Sequence, residues 1–361
     1  MRTILILGGY GATGRSLTRH LLAQTSAQII VAGRNLDKAL VFVDSLRDPR
    51  VSAQRVDATD SASLRQVLPR VNLLLVAAPT THQAETVVSA ALDAGVDYLD
   101  VQYGDSKLAV LRAHEREIHE KKLCFVTEAG YHPGLPSAMI RCAASKLECI
   151  YSAHVAGYLN MGRLPYTEAV DELMEGFIHY QAQVLKYGAW TRPGSWEMRK
   201  FDFGEEVGTR NCYSMFFEEL RCLPAMYPTL RDMGFYISGS NLLSDLIITP
   251  IIMLGLKVAP RRGIRPLGKL MWWAMGLSKP PYKVMLKVEA TGLFRGRQVQ
   301  IDASVEHEDG YELTAIPVVA LLKQYEYVRR PGLHMMGHLV DTDCLFQDME
   351  RMGARVRTNI R

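Results

Sequence analysis

The chain begins with the feature that most restricts its fold. Four aliphatic residues, Ile4, Leu5, Ile6 and Leu7, run directly into Gly8-Gly9-Tyr10-Gly11-Ala12-Thr13-Gly14, and Leu17, Leu21 and Leu22 then recur at helical spacing. A short apolar run that ends in a turn signal reads as a buried strand, and a 3.6-residue apolar period reads as a helix. The apolar run is too short for a secretory signal and ends in glycines, so it reads as a first strand. Strand, glycine turn and helix open a βαβ unit. Two glycine registers fit, Gly9-x-Gly11-x-x-Gly14 and Gly8-x-x-Gly11-x-x-Gly14. In either, glycine allows the tight turn and lets backbone N–H groups approach a pyrophosphate, and the helix packs closely on the strand. The helix N-terminus then faces the anion with free N–H groups and the positive end of its dipole.

The second strand, residues 28–32, ends in Gly33-Arg34-Asn35, with Lys38 one turn later. An NAD site carries Asp or Glu about here to hold the ribose 2′-hydroxyl. Arg34 stands there instead, and a guanidinium grips a 2′-phosphate with paired hydrogen bonds. The expected cofactor is therefore NADP(H). Further strands are expected at 51–56, 73–77, 98–101 and 123–127, separated by helical patterns at 83–94 and 107–120. Alternating strands and helices give a doubly wound parallel sheet, whose ligands sit beyond the carboxyl ends of the strands. That rule brings Asp57 and Ala58 to the adenine and Ala78, Pro79 and Thr80 to the cofactor. It also places Tyr103, Tyr131 and His132 in the same cleft as candidates for proton transfer, with His132 and Tyr103 ranked ahead of Tyr131.

The block Gly9 to Gly14 is joined by Ala32-Gly33-Arg34-Asn35, Val56-Asp57-Ala58, Ala77-Ala78-Pro79, Ala94-Gly95-Val96-Asp97-Tyr98-Leu99-Asp100 and Glu128-Ala129-Gly130-Tyr131-His132-Pro133-Gly134-Leu135. On these motifs, residues 1 to about 140 resemble the NADP-binding domain of the saccharopine dehydrogenase family, in its single-cofactor reductase branch. The Gly-x-x-Pro-Gly turn after the sixth strand is the most specific of them. The resemblance implies reductase chemistry and leaves the substrate open. Amino-acid-forming members hold substrate carboxylates with arginines of the second domain, and Arg163, Arg192, Arg199 and Arg210 form no familiar pattern here.

The expected fold class is α/β, an N-terminal Rossmann doubly wound parallel sheet with a second α+β domain. Residues 1–135 form the first domain, and 316–361 are expected to return to it. Residues 136–315 form the substrate and dimerisation domain. Within that span a strand is expected at 151–159, a long helix at 167–187, and an antiparallel hairpin of 283–291 with 298–306 around Gly292-x-x-x-Gly296. Residues 242–282 stand out. They hold the run from Ile247 to Leu256, then Lys257, Arg261, Arg262, Arg265 and Lys269, then Met271-Trp272-Trp273, with no acidic residue between Asp245 and Glu289. The run is too short to span a bilayer and contains Pro250. A helical insertion packed in the core or at a dimer interface, a lid and a peripheral membrane contact all fit it.

A net charge of +4 over 361 residues gives no case for a nucleic-acid partner. Cys124, Cys142, Cys149, Cys212, Cys222 and Cys344 form no CxxC pair, so no metal and a reduced, cytoplasmic setting are expected, with the membrane contact as a peripheral variant. The expected protein is a homodimeric NADPH-dependent reductase transferring a hydride to a C=C or C=N bond of a small, apolar or lipid-like molecule. One alternative forms an amino acid or polyamine precursor from an imine. Another is a non-catalytic NADP-binding sensor.

Overall fold

The computed structural model describes residues 2–361 apart from 179, 195, 196, 239, 240 and 242, and describes no side chain at 245 and 246. Leu242, the first residue of the apolar-basic segment, therefore lies outside the described residues. The chain divides into two units, residues 1–135 with 311–352, and residues 136–310 with 353–361.

The first unit opens with β1 (Thr3–Leu7), α1 (Ala12–Gln24), β2 (Gln28–Gly33), α2 (Leu36–Leu46), β3 (Val51–Arg55) and α3 (Ser61–Val67). It continues with β4 (Leu73–Val76), α4 (Ala84–Ala94), β5 (Asp97–Asp100), α5 (Asp105–Ala113), α6 (Glu115–Glu120) and β6 (Cys124–Thr127). The strands pair in parallel in the order β3-β2-β1-β4-β5-β6. Every residue of β4 and β6 is buried, as is each of Ile4 to Leu7, which is the pattern of strands covered on both faces. The order reverses between β1 and β4, and that switch point opens a crevice at the strand ends where ligands bind in such sheets.

The second unit follows with α7 (Leu135–Ser145), β7 (Cys149–Asn160), α8 (Glu168–Ile178), β8 (Val184–Lys186), β9 (Ala189–Thr191), β10 (Met198–Asp202) and β11 (Thr209–Met215). Then come α9 (Leu223–Met226), β12 (Asp232–Ser238), α10 (Thr249–Val258), α11 (Ile264–Met275), β13 (Lys283–Phe294) and β14 (Arg297–His307). The sheet order is β10-β11-β12-β7-β13-β14, antiparallel except for β12 beside β7. The helix expected over 167–187 ends at Ile178. Beyond it, Val184 and Leu185 are both buried, and β8 adds to β12 at Met233↔Leu185. Consecutive buried residues suit a strand covered on both sides better than a helix face, and the edge of β12 supplies its hydrogen bonds. The β13–β14 hairpin turns at Arg295 (φ 51°) and Gly296 (φ 70°), the left-handed pair of a two-residue turn, while Gly292 stays within β13 at an irregularity against β7.

The segment around α10 and α11 packs with α8. Ile248, Ile252, Leu256 and Ala274 cluster with Val170 and Met174. Trp272 is turned inward, its indole N–H donating to the Leu164 carbonyl at 2.8 Å, so only Trp273 of the pair is exposed. Among the described residues no helix is long and apolar enough to cross a membrane.

The chain then returns. α12 (Gly310–Val328) leads to β15 (Gly332–Met335), which adds in parallel to β6, and to α13 (Met336–Leu339) and α14 (Thr342–Arg351). Arg329 clamps Asp97 with two bonds of 2.7 and 2.9 Å, and the Tyr325 hydroxyl donates to the same carboxylate at 3.0 Å. The expectation that all of 316–361 returns to the first unit needs one correction. Residues 353–361 belong to the second unit, where β16 (Arg355–Ile360) runs antiparallel to β14. The reason is electrostatic as well as hydrogen-bonded, because Arg355 reaches Glu306 and Glu308 at 3.4 Å.

Candidate functional site

The turn after β1 is built by close approach. Gly8 adopts φ +86°, and a Cβ there would lie 2.7 Å from the Ala78 nitrogen. A Cβ on Gly14 would lie 2.2 Å from the Gly8 carbonyl oxygen and 2.6 Å from the Gly9 Cα, so α1 can rest on the turn only with glycine at that position. Gly11 is the N-cap of α1, and its carbonyl accepts from Arg15 N–H at 2.9 Å. The N–H groups of Ala12, Thr13 and Gly14 belong to the first helical turn and have no acceptor within the helix. No acidic residue occupies that turn, and Gly11 and Ala12 are exposed. This is a concave anion cradle that side chains would fill, and it fits the pyrophosphate of a dinucleotide.

Tyr10 closes one side of the cradle. Its ring lies where a Cβ of Gly33 would be, 2.5 Å from a ring carbon, and its hydroxyl accepts from Asn35 N–H at 3.1 Å. The Asn35 side chain caps α2 by accepting from Lys38 N–H at 2.9 Å, so its role is to start the helix. Arg34 and Lys38 are exposed beside it. Register pairs Gly33 with Arg55, and the Arg55 Nε donates to the Arg34 carbonyl at 3.4 Å. Arg55 is exposed as well, and the sequence reading missed it. The signal was available, since the end of β3 lies beside the end of β2 in a 3-2-1 sheet. Asp57 follows. Its carboxyl sits below the usual range, first because it accepts from the Thr59 N–H and hydroxyl at 3.0 and 2.8 Å, then because Arg34 and Arg55 are near. Ala58 is buried beside it.

At the end of β4, Ala78 and exposed Pro79 lead to buried Thr80. The Gln102 amide donates to the Ala78 carbonyl and, at 3.3 Å, to the Thr80 hydroxyl, which ties the β4 and β5 ends together. Beneath them lies a polar network that sequence reasoning did not find. The Lys107 ammonium, fully buried, donates to Asp100 at 2.7 Å, to the Gln102 carbonyl at 2.6 Å and to the Thr127 hydroxyl at 2.7 Å. The equally buried Asp100 also accepts from the Thr127 hydroxyl at 2.8 Å and from the N–H groups of Gln102 and Glu128 at 3.1 and 3.2 Å. All three Lys107 protons thus have acceptors, and both loops that leave β5 and β6 are anchored.

Those loops carry the candidates for chemistry. Tyr103 is half-buried on the β5 loop. Ala129 N–H donates to the Asp100 carbonyl at 3.0 Å, which sets the start of the loop holding Tyr131 and His132. The two rings pack at 4.1 Å between centroids. Burial of the imidazole pushes the His132 pKa down to about 4, so the ring is neutral at pH 7.

Residues 4–126 match the family model of the saccharopine dehydrogenase NADP binding domain. Carboxyaminopropylagmatine dehydrogenase of Synechocystis sp. is 23% identical over 255 residues, 67% of this chain and 63% of that protein, so the match spans less than two thirds of the relative. The structure of saccharopine dehydrogenase (L-Glu forming) from Saccharomyces cerevisiae superposes with a TM-score of 0.72 over the whole of both chains, at 14% identity. Amine dehydrogenase from Mycobacterium smegmatis superposes with a TM-score of 0.50 over 95% of this chain and 96% of that one, at 12% identity. The first unit therefore contains a saccharopine dehydrogenase-type NADP-binding domain, and the α/β fold is that of saccharopine dehydrogenase.

Proposed function

We propose that this chain reduces a C=N bond with NADPH, or runs the reverse oxidation of the amine. NADPH, when bound, supplies the hydride. The first turn of α1 holds the pyrophosphate, and Arg34, Lys38 and Arg55 hold the 2′-phosphate. Asp57 and Ala58 border the adenine, and Ala78, Pro79 and Thr80 border the ribose on the nicotinamide side.

The observation that supports the C=N reading is the buried His132 imidazole, packed at 4.1 Å on Tyr131, whose burial disfavours the charged form. An iminium substrate already bears its proton. When its carbon gains the hydride, the π pair moves to nitrogen and a neutral amine results, so no side chain has to give up a proton. Reduction of a C=C bond leaves a carbanion that must be protonated, and an imidazole with a pKa of about 4 holds no spare proton at pH 7. Neutral His132 can instead hydrogen-bond the substrate nitrogen. Tyr131 positions the imidazole, and Tyr103 offers a hydroxyl from the neighbouring loop. The relative carboxyaminopropylagmatine dehydrogenase is named for a substrate that carries an amino group, which supports the same bond type.

The second reading is reduction of a C=C bond in an apolar substrate. It rests on Tyr103, half-buried on the β5 loop, as the proton donor. NADPH oxidation by the purified protein separates the two. Turnover with pairs of a 2-oxo acid and an amine, and none with enones, is expected. Turnover with enones alone would overturn the C=N reading, and tight NADPH binding with no turnover on either panel would favour a sensor.

A further inference from the structure

The helix α10 is apolar on both sides. Its inner residues Ile252 and Leu256, with Ile248 just before the helix, are buried against α8 and α11. Outward it shows a second apolar stripe, Ile251, Leu254 and Val258, preceded by Leu243 and Ile247 ahead of the helix, all exposed, with Leu254 at 64% and Val258 at 79%. On the helix itself the spacing of three and four keeps Ile251, Leu254 and Val258 within about a sixth of the circumference. A surface helix of a globular protein is normally polar on its outer face. Trp273 on α11 is also exposed, at 54%.

Cations follow the stripe directly. Lys257, Arg261, Arg262, Arg265 and Lys269 are all exposed at the end of α10, in the turn and at the start of α11. Among the described residues, Lys257, Arg261, Arg262 and Lys269 form no ion pair. α8 carries carboxylates and none lies on α10 or α11, while the turn before α10 holds Asp245. An occupant must therefore accept aliphatic side chains and offer negative charge beside them. A second copy of the chain fails the second condition. In a two-fold contact both partners offer the same patch, and residues 246–288 hold no carboxylate to set against the five cations.

We propose that this face docks on an anionic lipid bilayer. The aliphatic stripe enters the acyl boundary, and the five cations lie at the level of the headgroups. The proposal stands apart from the choice of substrate, and its test needs no activity. The whole protein is floated with vesicles of phosphatidylcholine alone and of phosphatidylcholine with about one third phosphatidylserine, at low and at physiological salt. Retention on the anionic vesicles, weakened by salt, is the expected result. Arg261→Glu with Arg262→Glu should lower the partition coefficient by about tenfold or more. Leu254→Asp with Val258→Asp should abolish retention while leaving the circular dichroism melt unchanged, since both side chains already face water. Light scattering on the wild type and the Leu254→Asp/Val258→Asp variant completes the test. Absence of retention on anionic vesicles at low salt overturns the proposal, as does equal retention on neutral ones. A dimer that the apolar-face variant splits into monomers also overturns it, because the stripe would then be a self-interface.

Discussion

The buried Lys107–Asp100 pair offers the sharpest test of how the site is held. Lys107→Met keeps the length of the side chain and removes the charge. It leaves Asp100 fully buried with hydrogen bonds from Thr127, Gln102 and Glu128 but no cation, and it strips the Gln102 carbonyl of a donor. Removing one partner of a buried ion pair costs about 3–5 kcal/mol, because the remaining charge is uncompensated. Asp100→Asn in the same background removes that charge while keeping an acceptor for the two N–H groups. The double variant should therefore be less damaged than the sum of the singles, with a coupling of about 2 kcal/mol. All four tryptophans fall between residues 190 and 273, in the second unit, so their fluorescence does not report on this network. Native-state hydrogen exchange by mass spectrometry does. In Lys107→Met, peptides covering 97–104 and 124–130 should lose about two to four orders of magnitude of protection, the factor that 3–5 kcal/mol represents at 1.36 kcal/mol per decade. Loss of less than tenfold in the single variant, or strict additivity in the double, would refute the view that the charge pair fastens the β5 and β6 loops.

Three further outcomes follow from the same geometry. Arg34→Ala and Arg55→Ala should each weaken NADPH binding in calorimetry by about 1.5–3 kcal/mol, the usual loss for a hydrogen bond to a charged group, and leave NADH binding nearly unchanged; equal weakening of both cofactors would remove the 2′-phosphate assignment. Gly14→Ala puts a methyl group 2.2 Å from the Gly8 oxygen, so it should abolish NADPH binding and lower stability by about 1–3 kcal/mol, whereas normal affinity would mean that the turn is not the pyrophosphate cradle. His132, with a folded pKa of about 4 against about 6.5 unfolded, binds fewer protons folded than unfolded between those values, so its stabilisation is complete above pH 6.5 and is lost as pH falls through the window to 4. Between pH 7 and pH 4.5 the wild type should lose about 2.5 kcal/mol more than His132→Asn in urea unfolding followed by circular dichroism, and parallel losses would show that the ring is not held neutral.

What could be read from the sequence divides by distance along the chain. The glycine turn, Arg34 and the β4 end are each a strand followed by its own loop, so composition and period within a dozen residues suffice to place them. Arg55 needed the additional step of laying β3 beside β2. Lys107 gave no local sign at all. It is a lysine on a helical face, and only the fold takes it into the interior against Asp100 and Thr127. The strand at 355–360 was lost for a similar reason, since its partner β14 lies some fifty residues earlier.

The same division explains why a cofactor can be named from sequence where a substrate cannot. Residues proposed to touch the dinucleotide occur in four short blocks, 8–14, 33–38, 55–58 and 78–80, and each block is positioned largely by its own strand end. The reacting end depends on Asp100, Gln102, Lys107, Thr127 and the loop to His132, which meet only once β5 and β6 pair. The protonation state of His132 is a further step removed, because it is set by burial of the folded ring and has no counterpart in the sequence. If that state selects C=N over C=C, bond specificity is a property of packing around one imidazole. Relatives with the same glycine turn and arginines could then differ in reaction through residues that touch neither cofactor nor substrate. His132 should accordingly be the position at which exchange of the surrounding packing shifts the pH profile of turnover while leaving NADPH affinity in place.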